Sequence, residues 1–336
     1  MGTQPLGIQQ TGAFTLQTAQ AIQSALQAQG FGTTGNIYYL NPATGNDNNS
    51  GTTPALAFAT LAAAYAACAP GNNDVVVLIG NGTTTATARI TSFNWAKNAT
   101  HLIGICAPSA VSQRARIANP TTAGLVITAA FFTVSGNGCL FSNLSFFQGA
   151  GAGQTGVVAA ILMTITGQRN AFVNFDFEGM GDATSATDAG SRCILISGGG
   201  QENYFKHCNV GLDTITRTGA NASVEISGGG PRNIFEDCTF PFLSSDGLQY
   251  ALLAAAAAAL DRWVLFKGCN FIATPAGSGL AIAQLFKLAA AVGGILCMDG
   301  NSFAYNVTAL GDATTKAQVY VGGGTATNGA KGIVAT

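Results

Sequence analysis

Charge is the property that this sequence lacks most. Only 9% of its 336 residues are Asp, Glu, Lys or Arg, and the formal net charge is −1, whereas about 25% is usual for a soluble domain. Such a balance argues against nucleic acid, an anionic membrane or a polyanion as a partner. Because 48% of the residues are hydrophobic, the chain does not have the composition of a disordered protein. We expect a folded protein with a largely neutral surface, part of which another protein covers.

Recognisable targeting segments are also missing. The first ten residues, MGTQPLGIQQ, have no basic start and no apolar core, so they are not typical of a secretory signal peptide. The longest apolar run, YALLAAAAAAL at residues 250–260, is too short and too rich in Ala to cross a bilayer. These features predict a protein that is made and retained, or assembled, in a cytosol.

The eight cysteines show no metal-binding pattern. No C-x-x-C pair occurs, and no His lies at the spacing of a zinc finger. A disulfide framework is not expected in so long a chain without a secretory signal. We expect buried free thiols that pack as small apolar side chains, and we predict neither a metal nor a cofactor.

What the sequence does have is a repeated phrase of the form F-x-x-C-x-F. Successive copies start 31, 33, 30, 31 and 32 residues apart, and a near-constant period of this length predicts a repeat architecture. Short apolar stretches and Gly- or Asn-containing turns fill each period, without the pattern of an amphipathic helix. We therefore predict an all-β parallel β-helix of about seven or eight coils, each with three short strands. The copies begin at Phe141, Phe172, Phe205, Phe235 and Phe266, and a last, degenerate copy begins at Met298.

The period also predicts which side chains lie above one another, about 4.8 Å apart, in successive coils. At one corner Lys206, Glu236 and Lys267 would alternate in charge, which supports this register. The expected columns are Phe172, Phe205, Phe235 and Phe266 inside the coil, Cys208, Cys238 and Cys269 also inside, and Asp176, Asn209, Thr239 and Asn270 outside.

The segment before the coils reads NIYYLNPATGNDNNSGTTPALAFATLAAAYAACAPGNNDVVVLIGNGTT. Residues 60–68 predict a short helix that ends before Pro70 and Gly71, and that caps the first coil with Phe58, Leu61 and Tyr65. The order of strand, Gly/Asn/Asp loop, FATL, helix and first coil resembles the entry segment of right-handed parallel β-helix proteins of the pectate-lyase-like superfamily. The repeats extend this resemblance to about Tyr320.

The resemblance implies a right-handed, single-stranded parallel β-helix and says little about activity. This superfamily includes lyases, hydrolases, phage tailspikes and non-enzymatic virion proteins, so fold does not decide function. The predicted segments are an N-terminal arm with a short anchoring helix (1–35), the entry strand, loop and capping helix (36–73), the β-helix (74–321) and a C-terminal tail (322–336).

Three carboxylate pairs are the candidates for acid–base chemistry, since paired carboxylates can divide the acid and base roles in glycoside cleavage. We favour structural roles for all three, because two of them coincide with the predicted columns and the third lies in a Gly/Ser/Thr loop. The pairs are Asp176 with Glu178, Glu236 with Asp237, and Asp182 with Asp188.

Other motifs give weaker signals. GAGQTG at residues 151–156 matches a nucleotide-binding pattern, but a helix does not follow it. His101 and His207 have no nucleophile at a suggestive spacing, and QRARI at residues 113–117 is too small a basic cluster for nucleic acid. We assign no catalytic, cofactor-binding or metal-binding residue.

Two Ala-rich runs, at residues 250–260 and 288–292, predict strands that are apolar on both faces. A strand exposed to water on one side should alternate with polar residues. Small apolar side chains on the outer face favour close contact with another copy, and closed symmetric assemblies dominate among oligomers. We therefore predict a homotrimer of β-helices that lie side by side.

The function that we predict is a non-enzymatic structural protein of a bacteriophage-like virion, assembled in the host cytoplasm. Within that class, a capsid decoration or cement protein that contacts the major capsid protein or other virion proteins fits the neutral surface best. The alternative is a phage tailspike or receptor-binding polysaccharide depolymerase, for which Trp95, Trp263 and Asp261 are the available residues. A surface adhesin is a third, weaker interpretation.

Overall fold

The computed structural model describes residues 35–106, 115–276, 280–289, 293–311, 319–322 and 333–334. This part of the chain forms a right-handed parallel β-helix of about seven turns, as predicted. The predicted N-terminal arm and its helix, and most of the C-terminal tail, lie outside the described residues.

Short strands make up nearly all of the regular structure. Two α-helices occur in the described part, α1 at Leu61–Ala67 and α2 at Ala183–Thr187, together with a 3₁₀ turn at Pro54–Leu56. The strands are β1 Ile37–Leu40, β2 Asp74–Ile79, β3 Ala88–Arg89, β4 Phe93–Trp95, β5 Thr100–Ile105, β6 Arg116–Ala118, β7 Ala130–Val134, β8 Leu140–Phe147, β9 Ile161–Ile165, β10 Ala171–Glu178, β11 Arg192–Ile196, β12 Tyr204–Lys206, β13 Asn209–Val210, β14 Ala222–Ile226, β15 Asn233–Glu236, β16 Thr239–Ser244, β17 Tyr250–Ala254, β18 Trp263–Lys267, β19 Asn270–Pro275, β20 Phe286–Leu288, β21 Ile295–Met298, β22 Phe303–Tyr305, β23 Val319–Val321 and β24 Ile333–Val334.

The strands stack into three faces. Faces one and two form one 17-stranded sheet that bends at a corner, and face three is a seven-stranded sheet. Neighbouring strands are parallel throughout, except that β24 runs antiparallel to β23. Face one holds β1, β2, β5, β12, β15, β18, β21, β23 and the first halves of β8 and β10. Face two holds β3, β6, β13, β16, β19, β22 and the second halves of β8 and β10. Face three holds β4, β7, β9, β11, β14, β17 and β20.

A single residue makes the corner between faces one and two in the middle coils. Each corner residue has a left-handed backbone, which Asn, Asp, His and Gly adopt more readily than other residues. The corner residues, with φ in parentheses, are Asn143 (62°), Asn174 (49°), His207 (52°), Asp237 (53°) and Gly268 (61°). The sequence places these residue types at one point of the repeated phrase, which explains why each coil turns there.

The predicted inner columns are confirmed. Stacked phenyl rings run from Phe141 through Phe172, Phe205 and Phe235 to Phe266, with successive ring centroids 5.0, 4.9, 4.4 and 5.0 Å apart. The thiols of Cys208, Cys238 and Cys269 lie in a second column, where each donates a hydrogen bond to the carbonyl oxygen of a Phe in the preceding coil. The two columns fill the angle between faces one and two.

A buried asparagine column adds to these at the turn before face one. The side-chain oxygen of each Asn accepts the backbone N–H of the preceding coil: Cys139 donates to Asn170 over 2.8 Å, Asn170 to Asn203 over 3.0 Å, and Asn203 to Asn233 over 2.9 Å. Buried backbone groups need such partners. The column therefore satisfies the turn backbone where strand pairing stops.

The predicted outer polar column has the expected pairing, although Asp176 and Asn209 are covered, with 2% and 3% of their surface exposed. Two other details of the prediction are wrong. The strand expected over residues 250–260 ends at Ala254, and the next four alanines lie exposed in a turn. In the degenerate copy Phe303 pairs with Asn270, one residue out of step, so it points outward and is 53% exposed. A shift of one residue reverses the face on which a strand side chain lies.

Helix α1 caps the first coil as predicted. Thr60 is its N-cap, and the Thr60 hydroxyl accepts the N–H of Ala63. Leu61 and Phe58 are buried, and the ring of Tyr65 packs 4.5 Å from the ring of Trp95. The helix thereby covers the open end of the hydrophobic core.

Candidate functional site

A concave surface lies at the N-terminal end of face two, beside the capping helix. It consists of a cavity of about 690 Å³ and a smaller one of about 160 Å³, and Thr84, Thr87 and Arg89 line both. We call this surface the threonine–arginine groove. It lies where the corner between faces one and two is a loop of eight residues, 80–87, instead of the single residue of the middle coils.

The sequence GNGTTTATAR at residues 80–89 builds one wall of the groove. Asn81 starts the loop, because its side-chain oxygen accepts the N–H and the hydroxyl of Thr83. The hydroxyl of Thr87 donates to the carbonyl of Thr83 over 3.1 Å. Side chains that bond their own backbone favour turns over regular structure. Thr60 and Thr121 complete the hydroxyl lining from neighbouring loops.

Two arginines supply the charge of the groove. Arg89 donates to the carbonyl of Asn119 over 2.8 Å, and Arg116 forms an ion pair of 3.2 Å with Glu178. Burial first, and then the nearby Arg116 charge, lower the pKa of Arg89. Glu178 therefore neutralises one of these two positive charges, and Arg89 leaves a positive potential in the groove.

The groove offers hydrogen-bond donors to a ligand. Its guanidinium and hydroxyl groups donate hydrogen bonds to anionic or hydroxylated ligands. A nucleophile would need a general base within hydrogen-bond reach, and none of the described residues that line the groove is a carboxylate or a histidine. The described lining is therefore suited to binding such a ligand.

The first predicted carboxylate pair, Asp176 with Glu178, lies on the outer side of face two under neighbouring chain segments. Both residues are 2% exposed. Glu178 pairs with Arg116, and loss of one partner of such a pair would leave an uncompensated buried charge. A substrate cannot reach this pair without displacing the segments that cover it.

The second pair, Asp182 with Asp188, flanks helix α2. Asp182 is its N-cap and accepts hydrogen bonds from the backbone and the hydroxyl of Ser185. Asp188 accepts from the N–H groups of Ala159 and Gly190. Both carboxylates therefore organise the loop between faces two and three, as the structural interpretation of this pair predicts.

The remaining pair, Glu236 with Asp237, lies at the corner between faces one and two. The Glu236 carboxylate accepts from the hydroxyl of Tyr204 over 2.8 Å and lies 3.5 and 3.2 Å from the ammonium groups of Lys206 and Lys267. The hydrogen bond from Tyr204 lowers the pKa of Glu236, and the lysines add to the effect. The predicted alternation of charge is confirmed, while Asp237 faces His207 at 3.4 Å on the surface.

The histidine and tryptophan candidates are not brought together. His101 is 3% exposed, its Nδ1 accepts the N–H of Leu140, and burial lowers its pKa to about 4. Trp95 is fully buried and donates to the carbonyl of Thr100, so it cannot stack on a sugar at the surface. Trp263 is half-buried in β18, close in sequence to the exposed Asp261.

The remaining motifs lie in loops or at the groove. GAGQTG is an irregular loop before β9, in which the Gln154 side chain accepts the N–H of Gly151. Of the basic cluster QRARI, Ala115, Arg116 and Ile117 are described, and Arg116 belongs to the groove. Sequence analysis missed the groove, whose one signal was the threonine run before Arg89.

Two further features concern the described residues. In that part of the chain, His, Cys, Asp and Glu side chains form no group of three or more that could hold a metal ion. None of its helices is long and apolar enough to cross a membrane.

Comparisons with known proteins bear on the fold. No family model and no curated protein matches the chain. Among solved structures, the chain is similar to pectate lyase Pel9A, with 17% identity and a TM-score of 0.51 over 79% of this chain and 62% of that one. The chain has the pectate-lyase-like β-helix fold.

Two pectin methylesterases give a similar result. PemA from Erwinia chrysanthemi matches with 14% identity and a TM-score of 0.51, and a pectin methylesterase in complex with hexasaccharide VII with 15% identity and the same TM-score. Each match covers 86% of this chain and 81% of the neighbour. The chain spans 62% of the length of the pectate lyase. At such identities the likeness establishes the fold and leaves activity open.

Proposed function

We propose that this protein is a non-enzymatic structural component of a bacteriophage-like virion, and within that class a capsid decoration or cement protein. The observation that carries the proposal is that at least one carboxylate of each predicted pair is held by structural contacts. Glu178 pairs with Arg116, Asp182 and Asp188 hold backbone N–H groups, and Glu236 pairs with lysines. A general acid or base must reach the substrate directly or through one water.

The exposed surface supports contact with other proteins. Loops that lead into face three carry exposed aliphatic side chains: Val126 and Val158 are both 58% exposed, Leu248 is 48% exposed and Leu280 is 62% exposed. Exposed apolar groups that recur along one side of a molecule favour a protein interface. With only 9% charged residues, few charges oppose such contact.

We propose that this edge forms the homotrimer. The alanines at residues 255–258 lie exposed in the turn after β17, at the opposite end of face three, where small side chains would also let a neighbouring backbone approach closely. Sedimentation velocity tests this assembly. The native chain is expected to sediment as a trimer, and the double variant Val126→Glu/Val158→Glu as a monomer, because charges there would be buried unpaired.

The matched control is Asn48→Glu, which adds a charge at an exposed loop position away from that edge. This control should remain trimeric. A native chain that sediments as a monomer at micromolar concentration would contradict the proposed assembly.

A second candidate is a polysaccharide-acting protein of the tailspike type. The activities named for the structural neighbours, pectate lyase and pectin methylesterase, fit this candidate better than a purely structural role. The threonine–arginine groove also offers hydroxyl and guanidinium donors to a sugar polymer. Identities of 14–17%, however, leave the likeness at the level of the fold.

An assay of polymer cleavage separates the two candidates. The purified protein is incubated with a panel of neutral and acidic polysaccharides, and new reducing ends and released methanol are measured. The structural proposal predicts no product above that of heat-denatured protein. Cleavage that Asp261→Ala abolishes, and that the control Asp213→Ala at another exposed carboxylate retains, would establish the second candidate.

A further inference from the structure

The first strand of face two has a free edge within the described part of the chain. Strand β3, Ala88–Arg89, pairs with β6 of the next coil and with no other described strand. The preceding coil contributes β1 to face one but no strand to face two, because the chain continues from Leu40 through a loop, the 3₁₀ turn and α1 to β2. The larger cavity of the threonine–arginine groove lies between Pro42, Ala59 and Thr60 of that segment and β3, where a strand of the preceding coil would otherwise lie.

The backbone of β3 offers hydrogen bonds along this edge. The N–H of Ile90 donates to the carbonyl of Ala118 in β6 over 3.1 Å, so Ile90 directs its N–H toward β6. Because successive residues of a strand direct their backbone groups to opposite edges, the N–H and C=O of Arg89 point to the groove side. Unpaired groups of this kind are a template on which another extended segment can add as a strand.

The Arg89 side chain makes this edge selective for an acid. Ala88 is buried and Arg89 is exposed, so the guanidinium lies on the outer side of the sheet, where its Nη1 donates to the carbonyl of Asn119. No described residue that lines the groove is a carboxylate, and Glu178 neutralises Arg116. A residue that pairs with Arg89 from an added strand would present its side chain beside the guanidinium, and a carboxylate there forms charge-assisted hydrogen bonds.

Neither a saccharide nor the neighbouring segments of this chain meet both requirements. A saccharide has no alternating N–H and C=O groups at the spacing of a strand. Residues 1–34, which precede β1, and residues 107–114, which precede β6, contain no Asp or Glu. A cavity of about 690 Å³ is of the size that holds an organic ligand rather than a lone inorganic anion. The combination therefore favours an acidic peptide from another protein.

We propose that β3 binds an extended acidic segment of another protein, which adds as one strand to face two and places an Asp or Glu side chain against Arg89. The hydroxyl groups of Thr60, Thr84 and Thr121 line the same space and provide further hydrogen bonds to the backbone and polar side chains of this segment. The added strand closes the free edge beside the capping helix. This site goes beyond the proposed virion role and does not depend on it, since the chemistry of the segment decides binding whichever protein carries it.

Selection of peptides tests this site. A displayed library of random heptapeptides is selected against the purified native protein, and the enriched peptides are synthesised with a fluorescein label and titrated by fluorescence anisotropy. We expect enriched sequences that share one Asp or Glu, and binding that weakens about tenfold or more when this residue is replaced by Asn or Gln, or when the protein carries Arg89→Met. The control Arg169→Met removes an exposed arginine from the turn before face one and should leave the affinity unchanged.

Backbone pairing has its own readout, which needs no variant of the protein. N-methylation of the acidic residue of the peptide and of the residue after it removes N–H donors along the added strand, and should also weaken binding about tenfold or more. A library that yields no enriched peptide, enriched peptides without a shared acid, or binding that Arg89→Met or N-methylation leaves unchanged would overturn the proposal. Binding of polygalacturonate that Arg89→Met abolishes, with no peptide enriched, would overturn it in favour of a saccharide ligand.

Discussion

The stacked phenylalanine column gives the sharpest test of the fold, through the substitution Phe205→Ala. The ring of Phe205 is fully buried and lies 4.9 Å from Phe172 and 4.4 Å from Phe235, nearly parallel to both. Removing a buried Phe side chain costs about 3–5 kcal/mol in total, and the two stacked pairs, each worth about 0.5–1.5 kcal/mol beyond burial, place Phe205→Ala in the upper part of that range. We expect a loss of about 4–5 kcal/mol in the free energy of unfolding.

Urea unfolding followed by far-ultraviolet circular dichroism measures this loss. The control Phe303→Ala removes the same side chain from a position that is 53% exposed, and it should cost less than about 1 kcal/mol. Equal losses in the two variants, or a loss below about 1 kcal/mol for Phe205→Ala, would refute the stacked core.

Three further predictions concern the corner, the asparagine column and the thiols. The hydrogen bond from Tyr204 lowers the pKa of Glu236 in the folded state. The ionised Glu236 carboxylate therefore stabilises the fold above its unfolded pKa of about 4.3, and this stabilisation is lost as pH falls through the lower folded pKa. Glu236→Gln should therefore lower the free energy of unfolding by about 0.5–1 kcal/mol at pH 7 and leave it unchanged in strong acid, and an equal cost at both pH values would contradict the contacts of Glu236 with Tyr204 and the two lysines. Asn203→Ala leaves the buried N–H of Asn170 without its acceptor and should lower the free energy of unfolding in urea by about 1–3 kcal/mol. An unchanged free energy of unfolding would contradict the asparagine column. Ellman's reagent should label half-buried Cys297 well before Cys238 in the native protein, since Cys238 is fully buried and burial raises its pKa; equal labelling rates would contradict this burial.

The repeat allowed much of the fold to be predicted from the sequence. A constant period fixes which residues of successive coils pair, so the observed pairing of Phe205 with Phe235 and of Lys206 with Glu236 follows from the spacing alone. The alternation of strand side chains then decides which residues point inward. The same reasoning failed at Phe303, where the corner sequence differs and the pairing shifts by one residue.

The candidate site was less accessible to sequence analysis, because segments that do not repeat build it. The threonine–arginine groove depends on the loop at residues 80–87 and on Thr60 and Thr121 from other loops. The burial of Asp176 depends on segments that fold over face two, and the period contains no information about them.

The proposed role as a capsid cement is tested most directly by heating virus particles that carry this protein. Particles are stripped of the protein chemically, and the temperature at which the genome becomes accessible to a fluorescent dye is compared with that of intact particles and of stripped particles to which the purified protein has been added back. Because a protein that binds only the assembled shell stabilises it by mass action, we predict genome release at a lower temperature after stripping and recovery after add-back. An unchanged release temperature in all three samples would contradict the account.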